Sequence, residues 1–272
     1  MGMFDGVMLV SDYDGTLRGS SRVVLQRDID AIRSFQQEGG TFLMCTGRCY
    51  STFYQQARDL PLHAPTLLSN GATFCEMETG KELFHYDLPD RAVGDIRVLG
   101  DRFPGVAFET YHGEEIYCWH PNGYTQWHMD LVKSAYTECE PEEMPTPWLK
   151  VLLEGEKETL IQVQEWVLSH WAAHYECIFS NMNLMELTAK GVHKGTGVLR
   201  AAEKLGISPE HVYCAGDNDN DVPMLNAAAL GFAPEGSVVA AKNLPNVQVV
   251  RDADHGCIES VIEFLTERYQ SK

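Results

Sequence analysis

Met8-Leu-Val-Ser-Asp-Tyr-Asp-Gly-Thr-Leu17 decides the fold, because a short apolar run ends there abruptly in two carboxylates followed by a glycine. The apolar run predicts a buried strand. Parallel strands carry their ligand-binding residues at the carboxyl end, so we expect Asp12 and Asp14 to face one crevice. Such a pair can bind a hard cation and divide the roles of nucleophile and acid. The alternative is an ordinary surface turn rich in Asp and Gly.

Three further segments give signals of the same kind. Thr41-Phe-Leu-Met-Cys-Thr-Gly-Arg48 ends an apolar run on a hydroxyl, a glycine and a cation, and His211 to Asp221 is a run that ends in a cluster of carboxylates. Gly191-Val-His-Lys-Gly-Thr196 places a single lysine before a helical pattern that Gly206 ends. Each also has an ordinary interpretation, as a strand leaving into a turn or a solvated lysine at a helix start.

Strands and helices alternate at both ends of the chain. Residues 1 to about 78 follow the pattern strand, helix, strand, helix, strand, and the pattern resumes from 189 to 272 with strands near 211–215, 229–233 and 247–250. This alternation predicts an α/β fold with a Rossmann-like parallel sheet and right-handed crossovers. The strands that carry the motifs all end on their polar residues, as a crevice at the carboxyl ends requires.

The middle of the chain has a different character, since residues 80 to 188 hold all five tryptophans. Strand-like runs lie at Glu115–Trp119, Leu149–Leu153 and Asn183–Leu187, and Glu158–Trp171 has helical periodicity. We therefore predict an inserted α+β cap domain over residues 80–188. Residues 1–79 and 189–272 would then form the catalytic core.

Composition and charge narrow the function further. The 272 residues exceed the common range of a single domain, which favours two. A net charge of -18 argues against nucleic acid as a partner, because such binding depends on lysines and arginines. No apolar run approaches the roughly 18 residues of a membrane span, and no signal-like segment opens the chain, so we predict a cytoplasmic protein without a membrane partner. Eight cysteines without a CxxC pair indicate buried thiols rather than a zinc site.

In order and context, four of these motifs resemble those of the haloacid dehalogenase-like (HAD) superfamily. They are Asp-x-Asp-Gly-Thr from Asp12, Thr-Gly-Arg from Thr46, the single Lys194, and Gly-Asp-x-x-Asn-Asp from Gly216. The long interval between Thr46 and Lys194, together with Ser69-Asn-Gly-Ala72, is similar to the Cof-type sugar-phosphate phosphatase branch, which has a large type IIB cap. The resemblance covers essentially the whole chain and is weakest in the cap.

The resemblance implies a Mg²⁺-dependent phosphatase that works through an aspartyl-phosphate. Asp12 would attack the phosphorus, and Asp14 would protonate the leaving group and then deprotonate the hydrolytic water. Mg²⁺ would be held by the carboxylates of Asp12 and Asp217 and by the backbone carbonyl of Asp14, with Asp221 orienting a metal-bound water.

The resemblance also implies which residues bind the phosphoryl group. Lys194 would neutralise its charge, while Thr46, the Gly47 amide and Asn220 would donate hydrogen bonds to its oxygens. Arg48 and Asn70 are possible substrate contacts. The alternatives are that Arg48 only braces its loop and that Asn70-Gly71 is a plain turn. Cations are essential, since two unit charges about 4 Å apart repel by roughly 4 kcal/mol at an effective dielectric constant near 20.

The predicted substrate is a small phosphorylated metabolite, with sugar phosphates as the expected class. A phosphomutase of the same architecture is one alternative, and a noncatalytic sensor of phosphorylated metabolites is another. A phospho-accepting signalling receiver also groups aspartates, a threonine and a lysine around Mg²⁺, but it needs neither a large cap nor an acid at position 14. The sequence contains no pattern that sets an oligomeric state.

Overall fold

A computed structural model describes residues 2–113 and 115–270, which form two compact units. Unit 1 contains residues 2–48, 54–84 and 193–270. Unit 2 contains residues 49–53 and 85–192, apart from residue 114.

The elements are numbered in chain order. The strands are β1 (Met8–Ser11), β2 (Thr41–Met44), β3 (Thr66–Leu68), β4 (Thr73–Cys75), β5 (Glu82–His85), β6 (Ala107–His112), β7 (Glu115–Trp119), β8 (Thr137–Glu138), β9 (Val151–Glu154), β10 (Tyr175–Asn181), β11 (Leu184–Ala189), β12 (Val212–Ala215), β13 (Leu230–Pro234) and β14 (Val247–Val250). The helices are α1 (Gln26–Gln37), α2 (Tyr50–Ala57), α3 (Ala92–Arg102), α4 (Gly123–Val132), α5 (Lys157–Trp171), α6 (Lys194–Leu205), α7 (Val222–Ala227), α8 (Val239–Lys242) and α9 (Cys257–Gln270).

Unit 1 is built on a parallel five-stranded sheet with the strand order β14-β13-β12-β1-β2. Its strands are short apolar runs, and Met8, Leu9 and Val10 of β1 are completely buried, as expected for strands covered on both faces. The pairing places Ser11, the last residue of β1, opposite both Ala215 of β12 and Met44 of β2. The predicted α/β fold with a parallel sheet is confirmed, and the three strands that carry motifs are neighbours whose carboxyl ends coincide.

Residues at both ends of helix α6 form caps. The His193 ring accepts a hydrogen bond from the Thr196 amide, and the Thr196 hydroxyl accepts one from the His193 amide, so the two residues cap the helix reciprocally. At the other end, Gly206 adopts the left-handed conformation with φ 69°, which glycine reaches at little cost. The N-terminal cap fixes Lys194 as the first helical residue.

Unit 2 is an α+β structure around a six-stranded sheet with the order β10-β11-β9-β6-β7-β8. All its strand pairs are antiparallel except β7 with β8. Side chains of α3 and α5 share a hydrophobic core with Phe108 of β6, whereas Met129 and Val132 of α4 pack with Tyr111 of the same strand. Because Phe108 and Tyr111 point to opposite faces of a strand, α4 lies on the opposite face of the sheet from α3 and α5.

The cysteines were predicted to be buried thiols. All eight are free thiols, and all except Cys139 are buried. Within residues 2–113 and 115–270, no helix is both long enough and apolar enough to cross a lipid bilayer.

Candidate active site

Three aspartates from two distant segments of the sequence meet at the carboxyl end of the unit 1 sheet. Asp12 directly follows β1, and its amide donates a 2.9 Å hydrogen bond to the carbonyl of Ala215 at the end of β12. Asp217 and Asp221 come after the end of β12, which is the neighbour of β1 in the sheet. One carboxylate oxygen from each of these aspartates lies within 4.8 Å of the other two. The structure therefore brings together three of the predicted metal ligands.

Lys194 connects two of these carboxylates. Its Nζ lies 2.5 Å from Asp12 Oδ1 and 2.6 Å from Asp221 Oδ1, and its side chain is completely buried. A positive charge on the first residue of a helix opposes the helix dipole, so α6 itself does not favour it there. Burial also acts to lower the pKa of Lys194, but the charges of Asp12 and Asp221 outweigh burial and raise that pKa well above its ordinary value. Lys194 is thus a charged lysine held by two carboxylates.

The group formed by Asp12, Asp217 and Asp221 carries more negative charge than one lysine can balance. Burial, and then the charges of Asp221 and Asp217, raise the pKa of Asp12 well above its ordinary value although Lys194 opposes them. Burial and the charge of Asp221 raise the pKa of Asp217 to about 7. The group therefore favours additional positive charge, and its donors are all carboxylate oxygens. Such a donor set fits Mg²⁺.

Backbone and hydroxyl donors fix two of these aspartates. Asp221 Oδ2 accepts hydrogen bonds from the amides of Asp217 and Asn218 at 2.9 and 3.0 Å. The Thr16 hydroxyl donates a 2.9 Å hydrogen bond to Asp217 Oδ1. Thr16 belongs to the same motif as Asp12, but no role was predicted for its side chain. Thr16 thus links the segment after β1 to the segment after β12.

Gly15 and Gly216 allow the two segments to approach. Gly15 has φ 91°, and a Cβ there would lie 2.3 Å from Asp217 Oδ2. A Cβ on Gly216 would lie 2.5 Å from the Cβ of Asp221. Any larger residue at either position would displace a carboxylate of the group.

The carboxylate of Asp14 lies outside the group and pairs with arginines. Arg48 Nε donates to Asp14 Oδ2 at 2.7 Å, and Arg18 also forms an ion pair with Asp14. Burial acts to raise the pKa of Asp14, but the hydrogen bond from Arg48 and the charges of both arginines lower it. Sequence reasoning missed Arg18. Its signal was a cation four residues after Asp14 in the same loop.

Of the predicted phosphate-binding residues, Thr46 and Gly47 follow β2, Asn220 follows β12 and Lys194 begins α6. The predicted substrate contact Asn70 follows β3. The carbonyl of Thr46 accepts a 3.0 Å hydrogen bond from the Asn70 amide, and Asn220 Nδ2 donates to Asn70 Oδ1 at 3.1 Å. Asn70 has the left-handed values φ 56° and ψ 36°, which asparagine tolerates better than most residues. Gly47 lies between Thr46 and Arg48 on the loop after β2. Asn70 therefore contacts two of the predicted phosphate-binding residues as well as forming a turn.

Several donors of this region are buried without an acceptor. Within the part of the chain that the structure describes, Arg48 Nη1, Asn70 Nδ2 and Ser69 Oγ make no hydrogen bond. Buried donors normally have partners, because an unsatisfied one costs about 1–3 kcal/mol. An anionic ligand with several oxygens would satisfy such donors. No role was predicted for the side chain of Ser69.

Comparison with known proteins identifies the family. A family profile described as haloacid dehalogenase-like hydrolase matches residues 9–261. The chain belongs to this family. A phosphoglycolate phosphatase from Methanopyrus kandleri is 27% identical to this hydrolase over 271 residues, with 95% of each chain covered. The pyridoxal phosphate phosphatase YbhA from Escherichia coli is 24% identical over 273 residues, which cover 95% of the hydrolase and 97% of YbhA.

The fold of the hydrolase is shared with solved structures. It aligns with a HAD subclass IIB sugar phosphatase at a TM-score of 0.85 and 21% identity, covering 96% of the hydrolase and 99% of that protein. A haloacid dehalogenase-like hydrolase from Bacteroides thetaiotaomicron gives a TM-score of 0.81 at 22% identity, with 96% and 99% covered. The family predicted from the four motifs is confirmed, and the names of the curated relatives agree with the predicted phosphatase activity.

Proposed function

We propose that this hydrolase is a Mg²⁺-dependent phosphatase of small phosphorylated metabolites, with sugar phosphates as the expected class, and that Asp12 forms an aspartyl-phosphate. The observation that carries the proposal is the convergence of Asp12, Asp217 and Asp221 on one point, with Lys194 bridging two of them. The relatives named phosphoglycolate phosphatase and pyridoxal phosphate phosphatase support small phosphate esters as the substrate class.

Charge balance explains why these residues occur together. A carboxylate that approaches a phosphate dianion meets two negative charges, each repelling it by roughly 4 kcal/mol at about 4 Å and an effective dielectric constant near 20. Lys194 reduces this repulsion because its ammonium group touches the nucleophile directly. Mg²⁺, held by Asp12, Asp217 and the backbone carbonyl of Asp14, would supply further positive charge to the phosphoryl oxygens, and Asp221 would orient its water.

Donors on three loops would position the phosphoryl group for attack by Asp12. The Thr46 hydroxyl, the Gly47 amide and Asn220 would bind its oxygens, as the family resemblance implies. Within the described residues, Arg48 Nη1 and Asn70 Nδ2 donate no hydrogen bond. These two donors would add contacts to the phosphoryl oxygens. These contacts would hold the phosphorus in line with the attacking oxygen.

Asp14 would serve as the acid and base for the leaving group and the water. The two arginines favour its charged form, so the acid needs a change in its surroundings before it can hold a proton. A phosphate dianion bound beside Arg48 would offset the charge of that arginine and raise the pKa of Asp14. Substrate binding itself would then prepare the acid.

We propose that unit 1 corresponds to the predicted catalytic core and unit 2 to the predicted cap. Unit 1 contains every residue assigned a role here, from Asp12 to Asp221. Unit 2 consists of the long segment 85–192 and the short segment 49–53. The long segment overlaps the predicted cap at 80–188.

A screen of phosphorylated metabolites with and without Mg²⁺ tests the proposed activity. Release of inorganic phosphate is expected from at least one metabolite, and EDTA should abolish it until Mg²⁺ is restored. The Asp12→Asn variant serves as the blank. Conversion of a hexose phosphate to its isomer without phosphate release would identify a phosphomutase, and tight binding without turnover would identify a sensor. Either result would contradict the proposal.

The Asp14→Asn variant is expected to lower kcat by about 10²- to 10⁴-fold, which is the usual contribution of a general acid or base. Its amide cannot give a proton to the leaving oxygen. The measurement is steady-state hydrolysis of the best substrate from the screen. Asp219→Asn is the matched control, because Asp219 is an exposed aspartate of the loop after β12 and should keep the full rate. Equal rates for Asp14→Asn and Asp219→Asn would rule out the acid role.

A further inference from the structure

A second group of metal-ligating side chains lies within unit 2. It consists of Glu109 on β6, His128 on α4 and Glu154 at the end of β9. One donor atom from each residue lies within 4.8 Å of the other two. The side chains of both glutamates are completely buried, and that of His128 is 10% exposed. We call these three residues the unit 2 cluster.

The register of the sheet brings the two glutamates together. Strands β6 and β9 are antiparallel, with Ala107 opposite Glu154 and Glu109 opposite Leu152. Glu109 and Glu154 therefore lie on the same face of the sheet as diagonal neighbours. Helix α4 packs on this face and presents Thr125 and His128, one turn apart, toward it.

Hydroxyl groups satisfy the outer oxygens of the two carboxylates. The Tyr111 hydroxyl donates to Glu109 Oε1, and the Thr125 hydroxyl donates to Glu154 Oε2. The inner oxygens face the imidazole, since His128 Nδ1 lies 2.8 Å from Glu109 Oε2 and 3.5 Å from Glu154 Oε1. In residues 2–113 and 115–270, Glu154 Oε1 receives no hydrogen bond. A completely buried carboxylate oxygen thus points into the cluster without a donor.

This arrangement favours more positive charge than an imidazole supplies. Two buried carboxylates this close together require either a retained proton or a cation between them. A divalent ion would neutralise both and would also satisfy the free oxygen of Glu154.

We propose that Glu109, His128 and Glu154 bind one divalent transition-metal ion, of the Zn²⁺ or Mn²⁺ class, which ties β6, β9 and α4 together. Two ligands about 2.1 Å from one ion lie about 3.0 Å apart in an octahedral site and about 3.4 Å apart in a tetrahedral one. The separations of 2.8 and 3.5 Å at Nδ1 lie on either side of both values. An imidazole nitrogen beside carboxylate oxygens selects transition metals over Mg²⁺. The hydroxyls of Tyr111 and Thr125 act as the outer hydrogen bonds that orient ligating carboxylates.

Zinc binding to the full-length Asp217→Asn protein tests this proposal, because that background weakens the aspartate group of unit 1. The protein is stripped with a chelator, loaded with Zn²⁺ in the presence of excess Mg²⁺, passed over a desalting column and analysed by atomic emission. About one zinc per chain is expected, with a rise in Tm of about 5 °C relative to the stripped protein. Cobalt should give the intense visible absorption of a four-coordinate site, the geometry that zinc prefers.

Adding Glu154→Gln should abolish zinc retention, the rise in Tm and the cobalt absorption. This variant keeps the shape of the side chain, and its amide can donate to Glu109, so the fold is expected to survive without the ion. Asp95→Asn is the matched control, since Asp95 is another buried acid of unit 2, bonded to Arg91 and Tyr175, and should leave zinc binding unchanged. His128→Asn provides a second variant of the cluster.

Two results would overturn the proposal. A stripped protein that retains no zinc and gains no thermal stability from it would show that Glu109 and Glu154 share a proton instead. Zinc retention that is the same with and without Glu154→Gln would place the ion elsewhere in the chain.

Discussion

Asp12→Asn is expected to lower kcat by about 10⁴-fold or more, because the amide cannot attack phosphorus. The carboxylate lies at the end of a completely buried strand, with one oxygen 2.5 Å from the ammonium group of Lys194. The loss should appear for every substrate of the metabolite screen. Steady-state phosphate release measures it.

A chemical readout separates the nucleophile from a general role in binding. Acid-quenched wild-type enzyme under turnover should carry one phosphoryl group on the peptide that contains Asp12, and the Asp12→Asn protein should carry none. Asp219→Asn again controls for the loss of a carboxylate near β12. An Asp12→Asn enzyme with a tenth of the wild-type rate, or a phosphoryl group on another peptide, would assign the nucleophile elsewhere.

The sequence predicted the motif strands well because each is a short apolar run with a sharp polar end. The strand expected near 211–215 is β12 at Val212–Ala215, and the one expected near 247–250 is β14 with those same bounds. The residues alone did not predict that β12, β1 and β2 are adjacent strands in this order. The pairing of β1 with β12 joins Met8 to Val212, which lie about 200 positions apart along the chain, and no local pattern specifies it.

Two features of the structure escaped prediction for physical reasons. The ion pair of Arg18 with Asp14 was missed because a single arginine in a loop is most often solvated. The unit 2 cluster was missed because Glu109, His128 and Glu154 come from three elements and share no short motif. Only the register of β6 with β9 brings its acids together. A sequence pattern detects ligands that are close along the chain far better than ligands that a sheet assembles.

Lys194→Met is expected to destabilise the protein by about 3–5 kcal/mol, because it leaves two buried carboxylates without their shared cation. It should also lower kcat by about 10²- to 10³-fold, since the lysine offsets charge on both the nucleophile and the phosphoryl group. Denaturant unfolding and steady-state kinetics measure the two effects. Lys204→Met is the matched control, because Lys204 is an exposed lysine on the same helix and should cost less than about 1 kcal/mol.

The pH dependence of the Lys194→Met protein distinguishes lost charge from lost packing. Burial already raises the pKa of Asp12, and removing the lysine takes away the charge that opposes this rise. A carboxyl whose pKa is higher in the folded than in the unfolded state stabilises the fold at low pH, and that contribution is lost as the pH rises through the folded pKa. The variant should therefore recover stability as the pH falls from 8 toward 5, relative to Lys204→Met.

Mg²⁺ should restore part of the stability that Lys194→Met loses at pH 8, because it neutralises the same carboxylates. A deficit that is independent of both pH and Mg²⁺ would mean that Lys194 acts through packing alone.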